Sequence, residues 1–136
     1  MQRRSFITTS AAGGLALLAG GGGASRAIAA TTPKARVIVI GGGMAGTAVA
    51  KYLRLWGDAV EVTLVERNAK YVSNIMSSLV LTGQRTLSGL TYGYGNLVSR
   101  YGVKLVTDTV VSVDPVNAHV TLKSGAVLSA DRIVMA

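Results

Sequence analysis

The amino-acid sequence predicts an α/β fold in which a parallel sheet carries a small antiparallel β-meander. Three observations predict it. Residues 37 to 40, VIVI, form a β-branched apolar run that enters the glycine-rich turn Gly41-Gly42-Gly43-Met44-Ala45-Gly46. A stretch with apolar residues at helical spacing follows, then a second apolar strand from Val60 to Val65 that ends on Glu66. After Thr109 the pattern changes to the alternation of short antiparallel strands.

Thr31 to Lys34 read as a short linker. Val37 to Ile40 shows no polar alternation, as expected of a strand buried on both faces in the middle of a parallel sheet. Residues 44 to about 56 place Ala45, Val49, Tyr52, Leu53 and Trp56 at helical spacing, and Gly57 is the expected stop. Tyr52 and Trp56, one turn apart, are expected to pack against the sheet. Strand, helix and strand then form one right-handed crossover unit.

Residues 67 to 92 are rich in Ser, Thr, Gly and Asn and give no periodic signal beyond an apolar patch at Leu79, Val80 and Leu81. A second helix is predicted from about Tyr94 to Tyr101, ended by Gly102, with a third strand from Val103 to Val106. The meander follows as VVSV, a turn at Asp114-Pro115-Val116-Asn117, HVTL, a turn at Lys123-Ser124-Gly125, and AVL. Arg132 to Ala136 resumes an apolar strand. A strand running to the last residue is expected to lead on into a longer enzyme.

The turn at 41–46 has the spacing Gly-x-Gly-x-x-Gly, and Glu66 follows twenty positions after Gly46. With a strand before it, a helix after it and an acidic strand end, this is a dinucleotide-binding fingerprint in its full context. The first glycine permits a sharp turn out of the strand. The second removes a side chain where backbone must approach a pyrophosphate, and the third lets the helix pack closely on the strand. The free N–H groups and the dipole of the helix start favour the phosphate charge, by about 0.3–1 kcal/mol when exposed and up to ~2 when partly buried. Glu66 can accept hydrogen bonds from both ribose hydroxyls of an adenosine and would repel a 2′-phosphate, which disfavours NADP. The fold expected is therefore a Rossmann-like dinucleotide-binding domain. A fingerprint near the mature N-terminus followed by such a meander resembles the FAD domains of the two-dinucleotide-fold flavoprotein family, and that resemblance implies FAD rather than NAD.

Composition narrows the class. The net charge is +8, from 14 basic and 6 acidic residues. Setting aside Arg3, Arg4 and Arg26 leaves 11 basic residues and a charge of +5, scattered without a basic run or interleaved aromatics, so no nucleic-acid partner is expected. With no cysteine, the chain has no disulfide, no cysteine metal site and no thiol redox centre. No acidic pair has metal-ligand spacing, so no metal is expected.

Residues 1–30 have the order of an export signal: a basic start, an uncharged run from Ser5 to Ser25, then Ala27-Ile28-Ala29. That run holds six glycines, too many for a stable membrane anchor. Arg3-Arg4-Ser5-Phe6-Ile7 resembles the twin-arginine motif, which implies export of the folded protein to the periplasm; the alternative is a general secretory signal, whose start is also basic.

The stretches VIVIGGGMAGTAVAKYLRLWGDAVEVTLVERNAKYVSN, SSLVLTGQRTLSGLTYGYGNLVSRYGVKLVTDTVVSVDP and ADRIVMA resemble the flavin-binding subunit of flavocytochrome c sulfide dehydrogenase, from about Lys34 to Ala136. The resemblance implies an N-terminal FAD-binding domain over residues 34–136, incomplete as it stands. It implies oxidation of sulfide or a related sulfur compound, with electrons leaving to a c-type cytochrome subunit. It implies cofactor contacts at Gly41, Gly42, Gly43, Met44, Ala45, Gly46, Glu66, Arg67, Asn74, Val110 and Ala136. One position departs from it. That family carries a flavin-linking cysteine in a Tyr-x-Thr-Cys-type segment, and Tyr71-Val72-Ser73-Asn74 places Asn74 there. Asparagine forms no thioether, so the FAD is expected to be noncovalent. The alternatives are a flavin-dependent NADH or quinone oxidoreductase, or a truncated chain with no activity.

Other candidates rank lower. His119, the one histidine, falls in an alternating strand and is expected to be exposed rather than a base. Tyr92, Tyr94 and Tyr101 are expected in the core or on the surface before they are expected over a flavin. Asp108, Asp114 and Asp131 read as turn carboxylates, and Ser77 and Ser78 lack a nucleophile-elbow context. The loop 67–78 is expected beside the ribityl chain on the family geometry.

Overall fold

The structure, a computed structural model, describes residues 32–136. The export signal expected over residues 1–30 lies outside the described residues. Among the described residues no helix is long and apolar enough to cross a membrane.

Strand β1 (Ala35–Ile40) passes through the glycine turn into helix α1 (Met44–Trp56), and the chain returns as β2 (Val60–Glu66). A two-stranded excursion follows: β3 (Lys70–Val72), the one-turn helix α2 (Ser78–Leu81), a 3₁₀ turn at Ser88–Leu90, and β4 (Thr91–Gly93). Helix α3 (Gly95–Tyr101) leads to β5 (Lys104–Thr107), and the meander is β6 (Val110–Asp114), β7 (His119–Leu122) and β8 (Val127–Ser129). Strand β9 (Arg132–Met135) completes the main sheet. The four-stranded sheet runs β5-β2-β1-β9 with every pair parallel. The α/β class with its parallel sheet and antiparallel meander is as the sequence predicts.

The unbroken apolar run of β1 follows from its two buried faces. Val37 and Val39 face a core shared with Ala50, Val62, Leu64, Tyr94 and Val103. Ile38 faces the opposite core, with Val65, Val120 and Leu122 of β2 and the meander. Each such side chain stabilises the fold by about 1.5–3 kcal/mol when fully buried. The helices therefore cover one face and the meander covers the other, and the C-terminal ends of β1, β2 and β9 converge on the glycine turn.

Turn chemistry sets the remaining bends. Asp114 accepts from the amides of Val116 (2.9 Å) and Asn117 (3.0 Å) and from Asn117 Nδ2 (2.7 Å), which closes the β6–β7 turn. The Asn117 side-chain bond first, then its amide, holds the Asp114 carboxyl below the usual carboxylate range. Gly102 ends α3 in the left-handed region (φ 64°), a conformation that glycine adopts without penalty. His119 is exposed, as expected.

Two features depart from the sequence reading. Tyr52 and Trp56 do not pack on the sheet. Their rings stack on each other with centroids 4.3 Å apart, and Trp56 is 78% exposed. The inward positions of α1 are Gly46 and Ala50, both buried, with Val49 and Leu53 packed beside them. A helix seated that close to the sheet has no room beneath it for two large rings. Second, residues 67–92 are ordered by the β3–β4 pair, in which Tyr71 faces Tyr92, and by Leu90, which is buried. The Ser73 amide donates to the Leu90 carbonyl (2.8 Å) and extends this pairing by one rung.

Candidate functional site

The glycine turn is fixed by three different close approaches. Gly41 has φ +100°, a conformation costly for any side chain, and a Cβ there would strike the Ala136 carbonyl. Its amide donates to Val65 (2.9 Å), while the Ala136 amide donates to Ile40 (3.0 Å). A Cβ on Gly46 would lie 3.0 Å from the Gly41 carbonyl carbon and closer still to its oxygen. A Cβ on Gly42 would lie 2.5 Å from Tyr94 Oη and 2.9 Å from Glu66 Cγ. Glycine is thus enforced by backbone at Gly41 and Gly46, which belong to the fingerprint, and by side chains at Gly42, which does not.

Gly43 is the exception: nothing lies within 4 Å of where its Cβ would be. It is the N-cap of α1, whose first turn has no acidic residue and no side-chain cap. Among the described residues the amides of Gly43, Met44, Ala45 and Gly46 have no acceptor. Thr47 adds none, because its hydroxyl donates backward to the carbonyls of Gly43 (2.8 Å) and Met44 (3.1 Å). Unsatisfied amides at the positive end of a thirteen-residue helix, beside open space kept by a glycine, fit a diphosphate.

Glu66 is held at the end of β2 by its neighbours. Its Oε2 accepts from the Gly42 amide (2.6 Å), and its Oε1 accepts from Asn68 N (2.9 Å) and Nδ2 (3.0 Å). Bonds to a carboxylate are among the stronger ones in proteins. Glu66→Ala would leave the part-buried Gly42 amide without its partner. The ligand-free protein should lose about 1–3 kcal/mol, read as a lower midpoint in thermal unfolding. An unchanged midpoint would show that the carboxylate does not hold the turn.

Two cavities flank Glu66. The larger, about 770 Å³, is lined by Gly42, Gly43, the run from Glu66 to Val72, and Tyr94. The other, about 260 Å³, is lined by Gly41, Glu66, Arg67, Asp108, Thr109 and Val110 together with Ile40 and Val65. Asp108 is held below the usual carboxylate range by its hydrogen bonds with Ser124 first, then with the Thr109 amide.

Of the contacts expected from sequence, Gly41, Gly42, Gly43, Glu66, Arg67 and Val110 come together around these cavities, whereas Gly46 lines neither and packs on the Gly41 carbonyl, and Ala136 packs on Gly41 and Gly46. Met44 and Ala45 are exposed on the first turn of α1. Asn74 is exposed and lines neither cavity, and its carbonyl accepts from the Ser77 amide (3.1 Å). Residues 67–72 line the larger cavity, whereas 73–78 continue past it. Sequence reading did not name Asn68, and it placed Tyr94 in the core or on the surface without tying it to the glycine turn. Tyr94 is 4% exposed, and its hydroxyl donates to the Gly42 carbonyl (3.0 Å). Burial first, then the charge of Glu66, raises its phenol above its ordinary value. The available signal was Gly42, a glycine at a position where the fingerprint requires none.

Known proteins agree with this geometry. The family model for pyridine nucleotide-disulphide oxidoreductases matches residues 35–136. The flavoprotein chain of sulfide dehydrogenase [flavocytochrome c] from Chlorobaculum thiosulfatiphilum is 44% identical over 45 residues, 33% of this chain and 94% of that sequence. Sulfide:quinone oxidoreductase from Aquifex aeolicus superposes with a TM-score of 0.68 at 25% identity, over 74% of this chain and 23% of that one. The water-forming NADH oxidase of Lactobacillus brevis superposes with a TM-score of 0.64 at 28% identity, over 74% and 24%. The chain thus spans about a quarter of the length of these solved structures. With its fingerprint, its sheet order and this match over nearly all the described residues, the chain belongs to the pyridine nucleotide-disulphide oxidoreductase family, a family of FAD-dependent oxidoreductases.

Proposed function

We propose that residues 34–136 are the N-terminal FAD-binding portion of an exported flavoprotein that oxidises sulfide or a related sulfur compound and passes the electrons to a c-type cytochrome. The observation that carries the cofactor assignment is the uncapped start of α1 beside the open position at Gly43, with Glu66 fixed across the turn. The amides of residues 43 to 46 would hold the diphosphate, and Glu66 would accept from the ribose. Arg67, Val110 and Ala136 lie around the same turn and strand ends. FAD, when bound, supplies two-electron oxidation of a substrate and stepwise release of electrons to an acceptor. The sulfur substrate and the cytochrome partner rest on the resemblance to the Chlorobaculum flavoprotein chain. The likeness to sulfide:quinone oxidoreductase favours a second reading, in which the acceptor is a quinone.

Asn74 makes the attachment noncovalent, since its side chain forms no thioether with a flavin. The full-length protein is expected to be yellow as purified and to release all its flavin into the supernatant on acid precipitation. Colourless full-length protein would sink the FAD assignment, and colour kept in the pellet would sink the noncovalent one. Bleaching of the flavin by sulfide, followed by reoxidation with cytochrome c but not with a quinone, separates the two acceptors. The twin-arginine assignment predicts periplasmic protein that is lost on Arg3→Lys, Arg4→Lys substitution, read by cell fractionation.

A further inference from the structure

The fingerprint requires glycine at 41, 43 and 46, yet position 42 is glycine as well and is buried. Its neighbours explain why. Tyr94, arriving from the start of α3, places its hydroxyl 3.0 Å from the Gly42 carbonyl, while Glu66 accepts from the Gly42 amide at 2.6 Å. A single residue in the middle of the turn is therefore held on both sides, by a phenol through its C=O and by a carboxylate through its N–H. Any side chain at 42 would meet Tyr94 Oη at 2.5 Å, Tyr94 Cζ at 2.8 Å and Glu66 Cγ at 2.9 Å.

We propose that Tyr94 is a positioning residue for the dinucleotide site, its buried hydroxyl clamping the Gly42 peptide against Glu66 so that the amides of residues 43 to 46 keep the geometry a diphosphate needs. This deepens the FAD assignment and rests on it. The clamp works while the phenol keeps its proton. A phenolate has no proton to donate to the Gly42 carbonyl, and it would set a second negative charge beside Glu66 and the incoming phosphates. The groups facing Tyr94 are Glu66 at the end of β2 and Tyr71 on β3, both of which disfavour its ionisation. Arg67 and Lys70 line the same cavity. Because the folded phenol titrates above its ordinary value of about 10, the clamp is intact below pH 10 and is lost as pH rises through the folded value.

The test is FAD affinity of the full-length apoprotein, wild type and Tyr94→Phe, measured by flavin fluorescence from pH 7 to pH 11. Tyr94→Phe removes the hydrogen bond and keeps the ring. It is expected to weaken FAD binding about five- to tenfold at pH 7. It is also expected to abolish the extra loss of affinity that the wild type shows above pH 10. Equal affinities and identical pH profiles would overturn the proposal.

Amide hydrogen exchange in the ligand-free protein gives a reading that needs no cofactor. Faster exchange at Gly42 in Tyr94→Phe supports the clamp, and unchanged exchange overturns it. Wild-type protein that binds no FAD would overturn the cofactor assignment instead, and the exchange measurement would still decide the clamp.

Discussion

Gly43→Ser is expected to raise the stability of the ligand-free protein by a few tenths of a kcal/mol and to weaken FAD binding by about 100-fold or more. Both signs follow from one position. Gly43 is the N-cap of α1 with φ −68° and ψ −171°, extended backbone that serine adopts freely. Its Cβ would enter open space, so nothing resists the new side chain. A serine hydroxyl there can accept from the amides two or three residues on, which have no acceptor among the described residues. Those amides and that space are what a diphosphate would use. The substitution therefore fills the site with an internal cap. Each lost bond between an amide and a charged phosphate oxygen is worth about 1.5–3 kcal/mol, so two of them exceed the 100-fold loss. Flavin titration beside thermal unfolding reads both effects. Wild-type FAD affinity in Gly43→Ser would place the diphosphate elsewhere. An unchanged or lower unfolding midpoint would contradict the uncapped helix start.

Periodicity made most of the fold legible. The strands at 35–40 and 60–66 and the helix between them follow from apolar runs and a stop at Gly57, and the meander follows from alternation broken by Asp114 and Gly125. What stayed hidden depends on distance along the chain. Strands β3 and β4 have three residues each, too few to show a period, and 18 residues separate Val72 from Thr91. Tyr94 lies 52 positions from the carbonyl it binds. No local pattern distinguishes it from Tyr92, which is exposed. The misplacement of Tyr52 and Trp56 has a different origin. Spacing alone counts every apolar residue towards the buried stripe. How closely a helix approaches its sheet is set by the small residues Gly46 and Ala50, and a close approach excludes large rings from its flanks.

That close approach makes Gly46→Ala the converse of Gly43→Ser. One added methyl at 46 would meet the carbonyl of Gly41, with its carbon 3.0 Å away and its oxygen nearer, and would lie 3.5 Å from Ala136 Cβ. The obstructing atoms are backbone, and they cannot move aside as a flexible side chain would. Gly41 is itself fixed by its bond to Val65 and by Ala136 above it. Relief requires α1 to lift from β1, which would disturb the packing of Ala50 and Val49 against Val37 and Val39. Overpacking costs about 1–3 kcal/mol where side chains can adjust, and a collision with fixed backbone belongs at or above the top of that range. A domain holds only about 5–15 kcal/mol in total. Gly46→Ala should therefore lower the unfolding midpoint of the ligand-free protein markedly and lose FAD as a consequence. Gly43→Ser, three residues earlier, should lose FAD with its fold intact. If Gly46→Ala unfolds at the wild-type midpoint, the third glycine is not what seats the helix on the sheet. Its place in the fingerprint would then have to be explained by the cofactor alone.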